Sequence, residues 1–236
     1  MTREIDEVKY QVAIANRTLD ELGLSTHVTA SLGHVSMRVP NEPDLFVVKG
    51  RGYAIDALAR GEQIVILRKG GIHERNLHFE IEHDRFLFFP GYLHQDASLL
   101  KPDYRSRLTP AENQPDPSEV TFSVYAEVTD VIELDLSSSE DVAAALEPFH
   151  IWAPGFALKR VHWKPLHPLN AIILRCYTIE NPTTMPVLPE YSGCTSWVDL
   201  ESEVALGNMT PALSDEEFEQ RVAEIRGAIA SVPATA

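Results

Sequence analysis

The chain has 236 residues, with 20 basic and 35 acidic side chains, a net charge of -15 and an apolar fraction of 44%. That length supports a packed core, while a field of that sign repels nucleic acid and anionic membranes at long range and leaves only a local basic site for either. No apolar run approaches the roughly 20 residues of a membrane span, and the charged residues 1–7 lack the apolar core of a signal peptide. A cytoplasmic location is therefore expected, with Cys176 and Cys194 as reduced thiols.

In chain order, Ile5, Val8, Val12, Ala15, Leu19 and Leu22 recur at helical spacing, and Gly23 follows as a stop, so residues 5–22 are predicted as an amphipathic helix. Residues 45–49 form a short strand. Strands are then predicted over 63–68, 77–81 and 85–89, with Lys69-Gly70-Gly71 as punctuation. Residues 101–118 hold four prolines and read as an exposed loop.

The next segment, 120–134, alternates apolar and polar. Val120, Phe122, Val124, Ala126 and Val128 are expected on one face of a long strand bent near Thr129. A short helix over 139–147 ends at Pro148. Strands follow over 171–179 and 195–200. Ser214 and Glu217 make a capping box for a last helix carrying Phe218, Val222, Ile225 and Ile229 on one face.

These elements predict an α+β protein. Its centre is a small barrel or curled, mostly antiparallel sheet, bracketed by N- and C-terminal helices. Three parts are expected: 1–56, a β-rich domain over 57–203, and a C-terminal helix and tail over 204–236.

Two resemblances bear on these parts. Ala15-Asn16-Arg17, the run Ser31-Leu32-Gly33-His34-Val35-Ser36-Met37-Arg38 and the run Val48-Lys49-Gly50-Arg51-Gly52-Tyr53 resemble the opening of class II aldolase and adducin-type proteins. The resemblance implies an anion-binding turn at Gly33, His34 and Ser36, where small residues let backbone N–H groups approach the ligand. It also implies a metal-dependent lyase or epimerase. The chain has no His-x-His pair, however, and the five-residue spacing of His73, His78 and His83 gathers no ligand set on a strand or a helix. No metal or other cofactor is expected, and the aldolase activity is expected to be absent.

The second resemblance rests on Gly61-Glu62-Gln63 with Arg68-Lys69-Gly70-Gly71, on Phe88-Phe89-Pro90 with His94-Gln95, and on Leu100-Lys101-Pro102. It continues through His150-Ile151-Trp152, Trp163-Lys164-Pro165 and Gly193-Cys194-Thr195-Ser196-Trp197. Together these resemble a bacterial domain family of unknown function, which implies a link to DNA restriction or handling.

The residues themselves point to a basic, aromatic segment. Residues 148–179 contain Lys159, Arg160, Lys164 and Arg175 and no Asp or Glu, in an otherwise acidic chain. Trp152, Phe156, His162, Trp163 and Tyr177 are interleaved with them. Cations that meet phosphate and rings that stack are the means of a nucleotide or single-strand site. Arg68 and Lys69 at a strand end add a second cationic turn, and His94, Gln95 and His150 are polar candidates for the same pocket.

The expected function is non-catalytic binding of an anionic nucleotide or nucleic-acid fragment. An aldolase-type enzyme and an assembly role as a homo-oligomer are the alternatives, and no membrane partner is expected. The plainer reading of each residue stays open: Trp152 and Trp163 as core, the cations as balance for acidic neighbours, and Cys194 as a structural thiol rather than a nucleophile.

Overall fold

The computed structural model describes residues 46–69, 83–92, 95–134, 139–162, 168–188, 191, 197–199, 204 and 206–233. The helix expected over 5–22, the turn at Gly33, His34 and Ser36, the strand over 77–81, and His94, Trp163, Lys164 and Cys194 lie outside them.

The described strands are β1 (Phe46–Arg51), β2 (Val65–Lys69), β3 (Arg85–Gly91), β4 (Glu119–Leu134), β5 (Leu169–Pro186), β6 (Trp197–Asp199) and β7 (Met209–Pro211). The helices are α1 (Gly52–Ala59), α2 (Ser139–Ala145), α3 (Phe156–His162) and α4 (Asp215–Ala230). The strands form one sheet in the order β2-β5-β4-β3-β1-β6, with β7 also on β5. Every pairing is antiparallel except β1 with β3. The path does not close into a barrel among the described residues, so the curled, mostly antiparallel sheet is the form adopted.

The strand β5 lies inside the sheet beside the edge strand β2, and it is apolar on both faces. Period-2 alternation sends Leu169, Ala171 and Ile173 to one apolar cluster and Ile172, Leu174 and Cys176 to another. The first cluster is closed by Val142 of α2, Val161 of α3 and Phe218, Val222 and Ile225 of α4. The second is closed by Ile55 and Leu58 of α1 with Val48 of β1 and Phe86 and Phe88 of β3. A strand covered on both faces has no use for polar alternation, hence the near-continuous apolar run.

The long strand β4 departs from the expected single face. Its register with β5 shifts between Phe122 and Val124 and again between Val128 and Asp130. Each shift swaps the phase of the alternation. Val120 and Phe122 therefore join one cluster with Tyr125, Val124 and Ala126 join a second, and Leu134 joins a third. At the second shift the bulged Thr129 donates its hydroxyl to the Ile173 carbonyl at 3.2 Å, at the residue where a bend is predicted.

The helix expected after Ser214 forms with both halves of its capping box: Glu217 N–H donates to Ser214 Oγ at 3.3 Å, and Ser214 N–H donates to Glu217 Oε2 at 3.0 Å. Ser214→Ala is expected to lower stability by about 1 kcal/mol in urea denaturation, from loss of one cap donor–acceptor pair. No change would mean that the packing of Phe218, Val222 and Ile225 fixes this helix end unaided. No helix among the described residues is long and apolar enough to cross a membrane.

The boundary expected at 56/57 falls within α1, between two strands of the one sheet.

Candidate functional site

Two chain segments far apart in sequence are tied together first. Leu100 and Trp152 form an antiparallel bridge. Lys101 N–H donates to Ile151 O at 3.0 Å, and Ala153 N–H donates to Leu99 O at 2.8 Å. The Lys101 ammonium donates to the carbonyls of Glu147 and His150, each at 2.5 Å. The buried Gln63 completes the frame: its amide nitrogen donates to Val65 O at 2.8 Å, and its oxygen accepts from Ile151 N–H at 3.1 Å. Thus Leu100-Lys101-Pro102 and His150-Ile151-Trp152, separate in the chain, are one structural unit.

On that frame stands a stack of rings. Trp152 lies parallel to Phe156 at 4.3 Å with 10° between planes, and Tyr53 meets Trp152 edge-on at 5.7 Å. Gly155, at φ +80, makes the turn into α3. One helical turn on from Phe156, at the i, i+4 spacing, the Arg160 guanidinium lies 5.4 Å from the Phe156 ring centre. Arg51, the last residue of β1, donates from Nη1 to the Tyr53 hydroxyl at 2.8 Å.

The cations act on one another. Burial, with the nearby charge of Arg160, pushes Arg68 down to about 10. Burial, with the charge of Arg51, also lowers Arg160. Arg68 and Arg160 are thus held partly out of water with like charges nearby. Asp96 borders the group. Its carboxyl is lowered chiefly by hydrogen bonds from Ser98, with smaller contributions from Arg51 and Lys159.

Of the residues singled out in the sequence, Arg68, Arg160, Lys159, Trp152 and His150 come together here. Lys69 ends β2 and pairs with Leu169. Gln95 is engaged locally, donating to Thr109 O at 2.9 Å and accepting from Thr109 N–H at 3.0 Å. Arg175 turns elsewhere: it pairs with Asp215 and lies 5.0 Å from the Phe218 ring centre. Arg51 and Tyr53 stand with them and were not anticipated in this role. The signal for both, Arg51-Gly52-Tyr53 at a strand end, is present in the sequence.

Two buried titratable groups are shifted towards their neutral forms. His150 is 3% exposed, and its ring has only weak backbone contacts at its own residue and at Trp152. Burial, with the charge of Lys101, pushes it down to about 4, so it is neutral near pH 7. Cys176 is buried and its thiol is pushed up to about 12. Among the described residues no group of three or more His, Cys, Asp or Glu side chains is arranged to hold a metal ion.

Residues 48–224 match the family model described as domain of unknown function DUF1802. The chain belongs to the DUF1802 family. The matched span takes in β2 to β7, β1 from Val48 onward, and the whole ring-and-cation cluster of this DUF1802 protein. It also includes Val48 to Tyr53, the last of the three runs from which an aldolase-type start was expected; the family shown there is DUF1802. No curated protein matches the sequence. Among solved structures, the chain is similar to ASCH from Zymomonas mobilis, at 11% identity and a TM-score of 0.35, over 76% of this chain and 94% of that one. It is similar to a serine-to-alanine mutant of the same protein at 10% identity and a TM-score of 0.37, over 76% of this chain and 95% of that one.

Proposed function

We propose that this DUF1802 protein binds an anionic nucleotide or nucleic-acid fragment at the cluster of Arg51, Arg68, Lys159 and Arg160, without catalysing a reaction. One observation carries the reading: Arg68 lies near Arg160 and Arg160 near Arg51, around the Trp152–Phe156 stack, in a chain whose net charge is -15. The mutual repulsion of clustered cations opposes the compact state, and an anionic ligand offsets it. Lys69, Trp163 and Lys164, adjacent in sequence to this surface, extend the same proposal.

The role of the rings differs from a simple stacking platform. Trp152 is stacked on Phe156, and Phe156 carries Arg160. The rings thereby hold the guanidinium in place, and recognition rests on phosphate more than on bases.

The test is fluorescence anisotropy of labelled single- and double-stranded DNA and RNA, titrated with the full chain at 50 and 200 mM salt. Affinity is expected to fall steeply with salt. The double variant Lys159→Glu, Arg160→Glu is expected to weaken binding by about a hundredfold, two like-signed contacts having been reversed. Lys159 is exposed while Arg160 lies against Phe156, so urea denaturation of the variant accompanies the titration. Binding that ignores both salt and the charge reversal would reject the proposal.

A further inference from the structure

A second group of polar side chains lies at the opposite end of β3 from Arg51. Arg85 on β3, Glu127 on β4 and Arg175 on β5 are directly opposite one another, and residues opposed in this way share a face of the sheet. The next row on that face is Leu87, Tyr125 and Tyr177. Both rows lie between the two register shifts of β4. Arg85 opens β3, whereas Arg51 is paired with Gly91 at its far end. At the usual rise of a strand, those two ends are roughly 20 Å apart.

The two rows hold one carboxylate in a fixed orientation. The Tyr125 hydroxyl donates to Glu127 Oε1 and the Tyr177 hydroxyl to Glu127 Oε2, each at 3.2 Å. Tyr125 is buried in an apolar cluster and Tyr177 packs against it, with 5.8 Å between the ring centres. Arg175 lies 5.9 Å from the Tyr177 ring centre and pairs with Asp215 of α4. Each oxygen of Glu127 thus accepts one phenol and has capacity for one more donor. The Glu127 side chain is 35% exposed and that of Arg85 63% exposed, and Arg85 Nε is 3.9 Å from Glu127 Oε1. That is longer than a hydrogen bond, and an exposed pair at this distance contributes little to stability. Glutamate is also disfavoured within strands, so the fold alone does not account for a carboxylate oriented by two phenols.

We infer that Glu127 and Arg85 form a second binding site, whose ligand is a guanine base. Along the row the site presents an acceptor, an acceptor and a donor: Glu127 Oε2, Glu127 Oε1 and the Arg85 guanidinium. The Watson–Crick edge of guanine carries the complement in the same order, as the exocyclic amino group, the ring N1–H and the O6 carbonyl. Among the common bases guanine alone has two neighbouring donors on that edge, as a carboxylate binding through both oxygens requires. A guanidinium from another protein also has two donors, but it offers Arg85 no acceptor and brings a second positive charge to it. Tyr125 and Tyr177 are positioning residues that meet the carboxylate and not the base. The base is uncharged, so this site stands apart from the anion-binding reading above.

The test is equilibrium dialysis of the full chain against guanosine, inosine and adenosine, nucleosides with no phosphate for the cation cluster to hold. Guanosine is expected to bind with a dissociation constant below about 1 mM. Inosine, which lacks only the 2-amino group, is expected to bind about tenfold more weakly, and adenosine more weakly still. Glu127→Gln replaces one acceptor by a donor and is expected to bring guanosine down to the level of inosine. Arg85→Ala, at an exposed position, is expected to weaken guanosine about tenfold through loss of the O6 contact. No guanosine binding at about 1 mM, or equal binding of the three nucleosides, would overturn the inference and leave the anion-binding reading intact. Displacement of guanosine by oligothymidylate, which has phosphates and no guanine, would place the base at the cation cluster and overturn it as well. Tighter binding of free arginine than of guanosine would overturn it in favour of an arginine-bearing partner. Selectivity retained in Glu127→Gln would overturn the part assigned to the carboxylate. The comparison of nucleosides needs only the unaltered protein, so it does not depend on how a variant folds.

Discussion

Gly61→Val is expected to lower the stability of the protein by about 3 kcal/mol, read as a shift of the urea denaturation midpoint. Two separate penalties combine. Gly61 has φ +67, in the left-handed region, at the C-terminal end of α1. Its N–H donates to Leu58 O at 3.1 Å, and the next N–H, of Glu62, donates to Ala57 O at 3.0 Å. This is the paired-bond helix ending that selects glycine, and a β-branched residue there is strained.

The second penalty is steric. A Cβ on Gly61 would overlap Leu213 Cδ2 and Cγ and stand 3.0 Å from the carbonyl oxygen of Ala212. Leu213 can rotate, but the Ala212 carbonyl is backbone, next to the residues that pair β7 with β5. Gly61→Asn separates the two effects, because asparagine tolerates the dihedral and still meets Leu213. A loss below 0.5 kcal/mol for Gly61→Val would mean that the α1–β2 turn is not held against the segment after β7 in solution.

Acidification is expected to destabilise the protein through His150. Its proton affinity in the folded chain is pushed down to about 4, against an ordinary value of 6.5, by burial and by the charge of Lys101. Between those two values the unfolded chain binds a proton that the folded chain does not. Stability therefore falls as pH drops from about 6.5 towards 4, by roughly 3 kcal/mol in full, and the effect is absent above 6.5. Denaturation at pH 7.0, 5.5 and 4.5 measures the slope. His150→Phe should flatten that part of the profile, since it removes the titrating ring and keeps an aromatic of similar size between Phe156 and the Lys101 contacts. An unchanged slope in that variant would assign the acid sensitivity to other groups.

How much of this was readable beforehand depends on how local the cause is. β4 was legible because half-buried strands alternate, and α4 because its cap is written in Ser214 and Glu217. The faces of β4 were not legible, since two register shifts divide one alternating series among three clusters and a bulge leaves no single-residue mark. α1 was missed for a local reason. Its N-cap is Arg51, which makes no side-chain cap bond, and its buried Tyr53, Ile55, Ala57 and Leu58 serve two different clusters. The shortness of α3 and β7 hid them as well.

For the candidate site, the absence of acids over 148–179 drew attention to a segment in which Trp152, Phe156 and Arg160 stand together. Two features needed the third dimension. Arg51 joins them because β1 pairs in parallel with β3 and ends beside the Leu100–Trp152 bridge. Arg175 leaves them because α4 brings Asp215 and Phe218 to it.

The double coverage of β5 also bears on how the chain assembles. β2 finds its hydrogen-bonded neighbour about a hundred residues later, where Val65 meets Ile173, so closing that loop costs entropy before any contact is gained. Neither apolar layer can form alone, because each takes alternate residues of the same strand. During synthesis the early strands must wait, their apolar sides uncovered, until β5 has emerged. That interval, rather than the finished molecule, is where this fold is most exposed to aggregation.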